Sequence, residues 1–167
     1  ITNAANHAKD PGNRWYWRFN RRRLDAEAIR DSMLFAGGNL DLGHPGEHPF
    51  PLIEKWNYTQ HFPFKAVYDS NHRTVYLMTQ RLHRHPFLAL FDGPDTNMST
   101  DVRTSATVPL QALFLMNNPF VQEQAAGLVK RTAPEGDRKQ RICAMIELAW
   151  GRQASDSDVN LASSYIE

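Results

Sequence analysis

Between Arg81 and Phe120 the chain reads RLHRHPFLALFDGPDTNMSTDVRTSATVPLQALFLMNNPF, and this stretch gathers the side chains best suited to chemistry. His83 and His85 alternate with Arg81 and Arg84, Asp92 and Asp95 flank Gly93 and Pro94, and Arg103 follows. Residues two apart in an extended segment face the same side, so His83 and His85 in a strand or loop could reach one metal ion. Asp92 or Asp95 could add an oxygen ligand, and His61 could return across a hairpin. Repulsion from Arg81 and Arg84 works against a cation there, and ligands spaced this loosely form a weak signature. The competing expectation treats FDGPDTN as an acidic turn whose carboxylates bind Arg84, Arg103 or backbone amides. It lacks the alternating oxygen ligands and terminal Glu of an EF-hand loop. These residues mark a place to look and do not name a reaction.

The elements that must position them are mostly helical. Leu24, Ala28, Ile29, Met33 and Leu34 follow helical spacing, with Asn20 able to cap the start and Gly37 and Gly38 the end. On that helix Arg23 and Glu27, then Glu27 and Asp31, lie four apart, and the second pair repels unless Arg30 or an outside cation intervenes. From Asn39 to Pro63 the prolines and glycines break every period, which predicts a long surface loop pinned by Phe50, Leu52, Ile53 and Trp56. Lys65–Tyr68 and Arg73–Thr79 favour strands around Asp69, Ser70 and Asn71, and predict a small β-hairpin. Further on, Thr107 and Pro109 open a short apolar helix through Met116, and Asn118 with Pro119 caps another to about Arg131. A third spans about Asp137 to Trp150, burying Ile142, Met145, Ile146 and Ala149, with Gly151 as its stop. Ser155 and Asp158 form a capping box for a last helix carrying Val159, Ala162 and Ile166. The expected fold is mainly α, of the α+β class: one helical domain over residues 1–167 with one small hairpin and a long Pro/Gly-rich loop.

At 167 residues and 41% hydrophobic, the chain has the size of one domain with a real core. Its formal charge of +1 gives little bulk attraction to nucleic acid, and the run Arg21, Arg22, Arg23 meets Asp25 and Glu27 at once. There are 14 Arg and 5 Lys, a balance that favours fixed, bidentate contacts to carboxylates, internal or on a ligand. A single cysteine, Cys143, excludes an intrachain disulfide and a multi-cysteine zinc site, and its apolar neighbours predict an inert, buried thiol. No run is long and apolar enough for a membrane span, and the first residues lack the pattern of a signal peptide. A start at Ile1 suggests a fragment of a longer protein.

The strings NRRRLDAEAIRDSML, HRTVYLMTQR, RHPFLALFDGPDTN and TVPLQALFLMNNPFV, in this order, resemble the C-terminal domain of unknown function of planctomycete proteins that also carry a cytochrome-c-like domain. The resemblance covers nearly the whole chain. It implies a secreted or cell-envelope multidomain protein, with the N-terminal part of the domain missing here and any haem held elsewhere in the parent. It brings no catalytic residues. Three function classes follow: a noncatalytic packing module for neighbouring domains; a polysaccharide-active hydrolase or lyase using His83, His85, Asp92 and Asp95; and a carbohydrate-binding domain in which Trp15, Trp17, Trp56 or Tyr58 stack on sugars while arginines hold anionic groups. Exposure of the aromatics separates the first class from the third, and convergence of His, Asp and Arg in a cleft favours the second.

Overall fold

The computed structural model describes residues 3–20, 22–48, 52–55, 67–68, 70–81, 83–134 and 136–166. Among them lie seven α-helices and no strand: α1 (Ala4–Lys9), α2 (Ala26–Gly37), α3 (Pro86–Leu90), α4 (Pro109–Asn117), α5 (Pro119–Arg131), α6 (Arg138–Trp150) and α7 (Asp156–Ile166). Two short 3-10 turns, Ile53–Lys55 and Thr74–Tyr76, interrupt the loops. The last four helices start and stop where their caps predict. Asn118 accepts from the Phe120 amide at 2.9 Å, Asp137 from the Gln140 amide at 2.8 Å, and Gly151 closes α6 with φ 64°. Ser155 and Asp158 make the expected reciprocal pair. Ala149 and Ile166, expected inside, are exposed.

Among the described residues the expected hairpin is not formed. In its second arm Thr74–Tyr76 winds into a 3-10 turn, with the Tyr76 amide on the Arg73 carbonyl at 2.9 Å; of its first arm only Val67 and Tyr68 are described. The β-favouring composition is real, but a strand needs a ladder partner, and here side chains of α2 take that role. Asp31 Oδ1 accepts from the Thr74 amide at 2.7 Å and from its hydroxyl at 2.5 Å, while Arg30 donates to the Ser70 carbonyl at 2.6 Å. One isolated parallel bridge, Asp41 to His72, ties the preceding loop to the same segment.

Helix α2 begins at Ala26, later than Asn20 suggested, because both expected helix-start residues are engaged elsewhere. Asn20 accepts from Asn13 Nδ2 at 2.9 Å. Arg23 donates across the fold to Gln111 Oε1 at 2.9 Å, to Thr107 Oγ1 at 3.2 Å and to the Ala106 carbonyl, so its pairing with Glu27 along a helix is lost. Outside cations relieve the Glu27–Asp31 repulsion: Arg103 sits 2.6 Å from Glu27 and Arg73 3.7 Å from Asp31. Gly38, with φ 75°, ends the helix.

Helix α2 crosses α5 at two glycines. A Cβ on Gly37 would sit 3.0 Å from Gln124 Cα, and one on Gly127 would overlap the Gly37 carbonyl oxygen. Beside this crossing Ala26, Phe87, Leu88 and Phe91 form the main core, joined by Ile29, Met33, Phe114 and Phe120. Phe87 and Phe91 stack at 4.6 Å, and Phe114 meets Phe87 edge-on at 5.6 Å. The five-residue helix α3, which exists to place Phe87, Leu88 and Phe91, was not anticipated. A second, separate cluster of Ile142, Ile146 and Val159 joins α6 to α7, and half-buried Cys143 packs against it.

Candidate functional site

The acidic turn is built from backbone geometry upward. Asp92 adopts φ 61°, and the Gly93 amide returns to the Leu88 carbonyl at 2.6 Å, closing α3. Gly93 is required there, since a Cβ would lie 2.8 Å from that same oxygen. Asp92 Oδ2 accepts from the Ala106 amide at 2.7 Å and so fastens the turn to the approach to α4. Asp95 Oδ1 accepts from the Asn97 amide at 2.9 Å and from its side chain at 3.1 Å, contacts that hold this carboxyl below the usual range. Arg84 donates to the Gly93 carbonyl at 2.6 Å. Arg103 goes to Glu27, whose hydrogen bond raises the guanidinium's pKa, and lies 3.9 Å from Asp25. The aspartates therefore take backbone amides, and the two arginines take other partners.

Exposed Arg81 offers its carbonyl to Asn97 Nδ2 at 2.9 Å, and His83 is half-buried in the bend before α3. His61, Trp56 and Tyr58 lie outside the described residues, as do Phe50 and Asp69. Among the described residues no three His, Cys, Asp or Glu side chains come together to hold a metal.

His85 does reach open space. It stands where two cavities adjoin, both also lined by Tyr68 and Ser70. One, ≈ 540 Å³, is walled by Arg30, Pro86, Phe87, Phe114, Asn118 and Phe120. The other, ≈ 350 Å³, is lined by His48, His72, Tyr76 and Met78. In the second, His72 Nδ1 lies 3.4 Å from Asp41, long for a hydrogen bond and within ion-pair reach. Burial and, after it, the charge of Arg30 push the His85 imidazole below its ordinary pKa. Its Nδ1 is buried and has no hydrogen-bond partner among the described residues.

Arg30 is the residue that reading the sequence missed. It is 7% exposed, and it holds the Ser70 carbonyl at 2.6 Å, Thr74 Oγ1 at 3.3 Å and the His72 carbonyl at 3.5 Å. Its guanidinium also lies 5.3 Å from the Phe120 ring centre. Burial lowers its pKa from the ordinary value, partly offset by Asp31. A signal was available: Ala26, Arg30, Leu34 and Gly37 share one helical stripe, and every other member of it is apolar or glycine.

Two surfaces complete the picture. The loop after α1 is braced from within by buried Asp10 and Asn13: Asp10 Oδ2 accepts from the Trp15 amide at 2.8 Å, and Asn13 Nδ2 donates to the Arg18 carbonyl at 2.6 Å. The loop turns Trp15 (84% exposed), Tyr16 (87%) and Phe19 (82%) outward, whereas Trp17 is tied back to the Asp10 carbonyl at 2.8 Å. On α4, Leu110 (64%), Leu113 (54%) and Met116 (71%) recur at three-residue steps along a solvent-facing stripe.

This is a helical domain with a buried arginine under a histidine-lined cleft and two uncovered apolar surfaces. The chain belongs to the family described as PSD1, protein of unknown function (DUF1553), whose model matches residues 1–166. No curated protein and no solved structure matches it. Among the described residues no helix is long and apolar enough to cross a membrane.

Proposed function

We propose that this domain is a noncatalytic packing module, seated against another domain of a secreted or cell-envelope protein that carries its cytochrome-c-like haem domain elsewhere. The observation that carries the reading is the outward stripe of Leu110, Leu113 and Met116. A helix normally turns such a stripe to the core, and a contiguous apolar patch on a soluble surface marks an interaction site. From Pro109 to Asn117 α4 holds no charged residue, so its match is an apolar protein face and not a charged polymer. A domain on the same polypeptide meets it at high effective concentration, which lets a modest patch suffice. The charged residues of 81–103 support the same reading, because Asp92, Asp95, Arg84 and Arg103 each serve a contact within the fold.

The test is maleimide labelling of Leu113→Cys and Met116→Cys. Both should react fast in this chain alone and slowly in the full-length parent. Equal rates in the two contexts would remove the module reading, and slowing that grows with concentration of the isolated chain would assign the stripe to a second copy.

One observation favours carbohydrate binding as a second reading: Trp15, Tyr16 and Phe19 project from a loop braced by buried Asp10 and Asn13, as stacking on sugar rings requires. A hydrolase or lyase has less support, since among the six described candidate residues His85 alone lines the two adjoining cavities.

A further inference from the structure

We propose that the larger cavity beside His85 binds a small organic carboxylate with an aromatic body, its carboxylate facing Arg30. Arg30 is a buried cation whose described hydrogen-bond acceptors are all neutral: two carbonyls and a hydroxyl. Among the described residues no carboxylate lies within 4.0 Å of it; Asp31, the neighbour whose charge it feels, is engaged by Thr74 and Arg73. A strut for the 70–74 segment needs donors but no charge, and burying a charge without a counter-ion is costly. Three of the five guanidinium N–H donors are accounted for by those bonds, which leaves capacity for an incoming oxygen pair. His85 and Asn118 line the same cavity and bring further polar side chains to it.

The remaining wall selects the body of the ligand. Pro86, Phe87, Phe114, Pro119 and Phe120 present ring faces and edges, and ≈ 540 Å³ suits a small molecule. Inorganic phosphate would bring a second charge to that apolar wall and leave the rings uncovered. Glu123, on the exposed rim, further disfavours a doubly charged ligand.

Phenylacetate titrated into the chain by calorimetry and NMR tests the proposal. Saturable binding is expected, with shifts at Phe87, Phe114 and Phe120, while uncharged phenylacetamide and inorganic phosphate bind at least about tenfold more weakly, a gap of roughly 1.4 kcal/mol. Arg30→Gln should abolish binding, but it also removes bonds that hold residues 70–74. Glu123→Lys, exposed and outside those bonds, is therefore the second variant: it should tighten phenylacetate several-fold with an unaltered melting temperature. Absence of phenylacetate binding, equal affinity for acid and amide, or an indifferent Glu123→Lys would each overturn the assignment. Loss of the α4 interface would leave this site standing.

Discussion

A guanidinium buried among carbonyls leaves its charge to act on whatever shares its cavity, and in this domain that group is His85. Burial and Arg30 together depress the imidazole's pKa in the folded state. The unfolded chain holds the ordinary value of about 6.5, so below it the unfolded state binds the proton that the folded state refuses. His85 therefore contributes no penalty above about pH 6.5, and stability is lost as pH falls from there toward the folded pKa. Melting curves of wild type and His85→Gln between about pH 8 and pH 5 should diverge in that direction, the wild type falling more steeply on acidification. Parallel pH profiles would place His85 in an environment that does not distinguish its charge states.

The packing of α2 on α5 depends on two residues without side chains. Placing alanine at Gly127 has two opposed effects. Within a helix the exchange gains about 1 kcal/mol of propensity, whereas forcing a methyl into a filled contact costs about 1–3 kcal/mol or more. The obstacle is the Gly37 backbone carbonyl, which cannot rotate away as a side-chain tip would, so the clash prevails. Gly127→Ala should lower the denaturant midpoint, and a raised midpoint would mean that the two helices lie further apart. At α4 the arrangement is different, because Phe114 and Gln111 alone anchor it inward: Gln111 is buried, donates to the Leu90 carbonyl at 2.9 Å and accepts from Arg23. One face so held leaves the apolar stripe free for a partner.

At the scale of the molecule, the described residues form two clusters of buried apolar side chains, one around Phe87 and Phe91 and one between α6 and α7. The second contains three buried residues and is bordered by exposed Trp150, Leu161 and Tyr165. Regions with few buried contacts open below the global unfolding free energy. Native-state hydrogen exchange should show α6 and α7 opening together at lower denaturant than α2 and α5. Identical opening energies for all four helices would mean one cooperative core.

Much of the helical part was legible in the sequence because its signals are local. Asn118 with Pro119, Asp137 with Gln140, Ser155 with Asp158, and Gly38 and Gly151 each act within a few residues, and α4 to α7 keep nearly the expected bounds. The acidic turn was also readable as structure, since Asp, Gly and Pro in that order favour a tight bend whose carboxylates cap nearby amides. The hairpin failed because strand formation depends on a distant partner, and Asp31 and Arg30 supplied other hydrogen-bonding groups to Thr74, Ser70 and His72. The cleft was hidden for the same reason. Arg30 and His85 stand 55 positions apart in the chain, and only the packing of α2 beside α3 and α5 puts them at one cavity. Local chemistry thus determined where the later helices begin and end; the assembly of the site waited on long-range contacts, whose energies no short stretch of sequence contains.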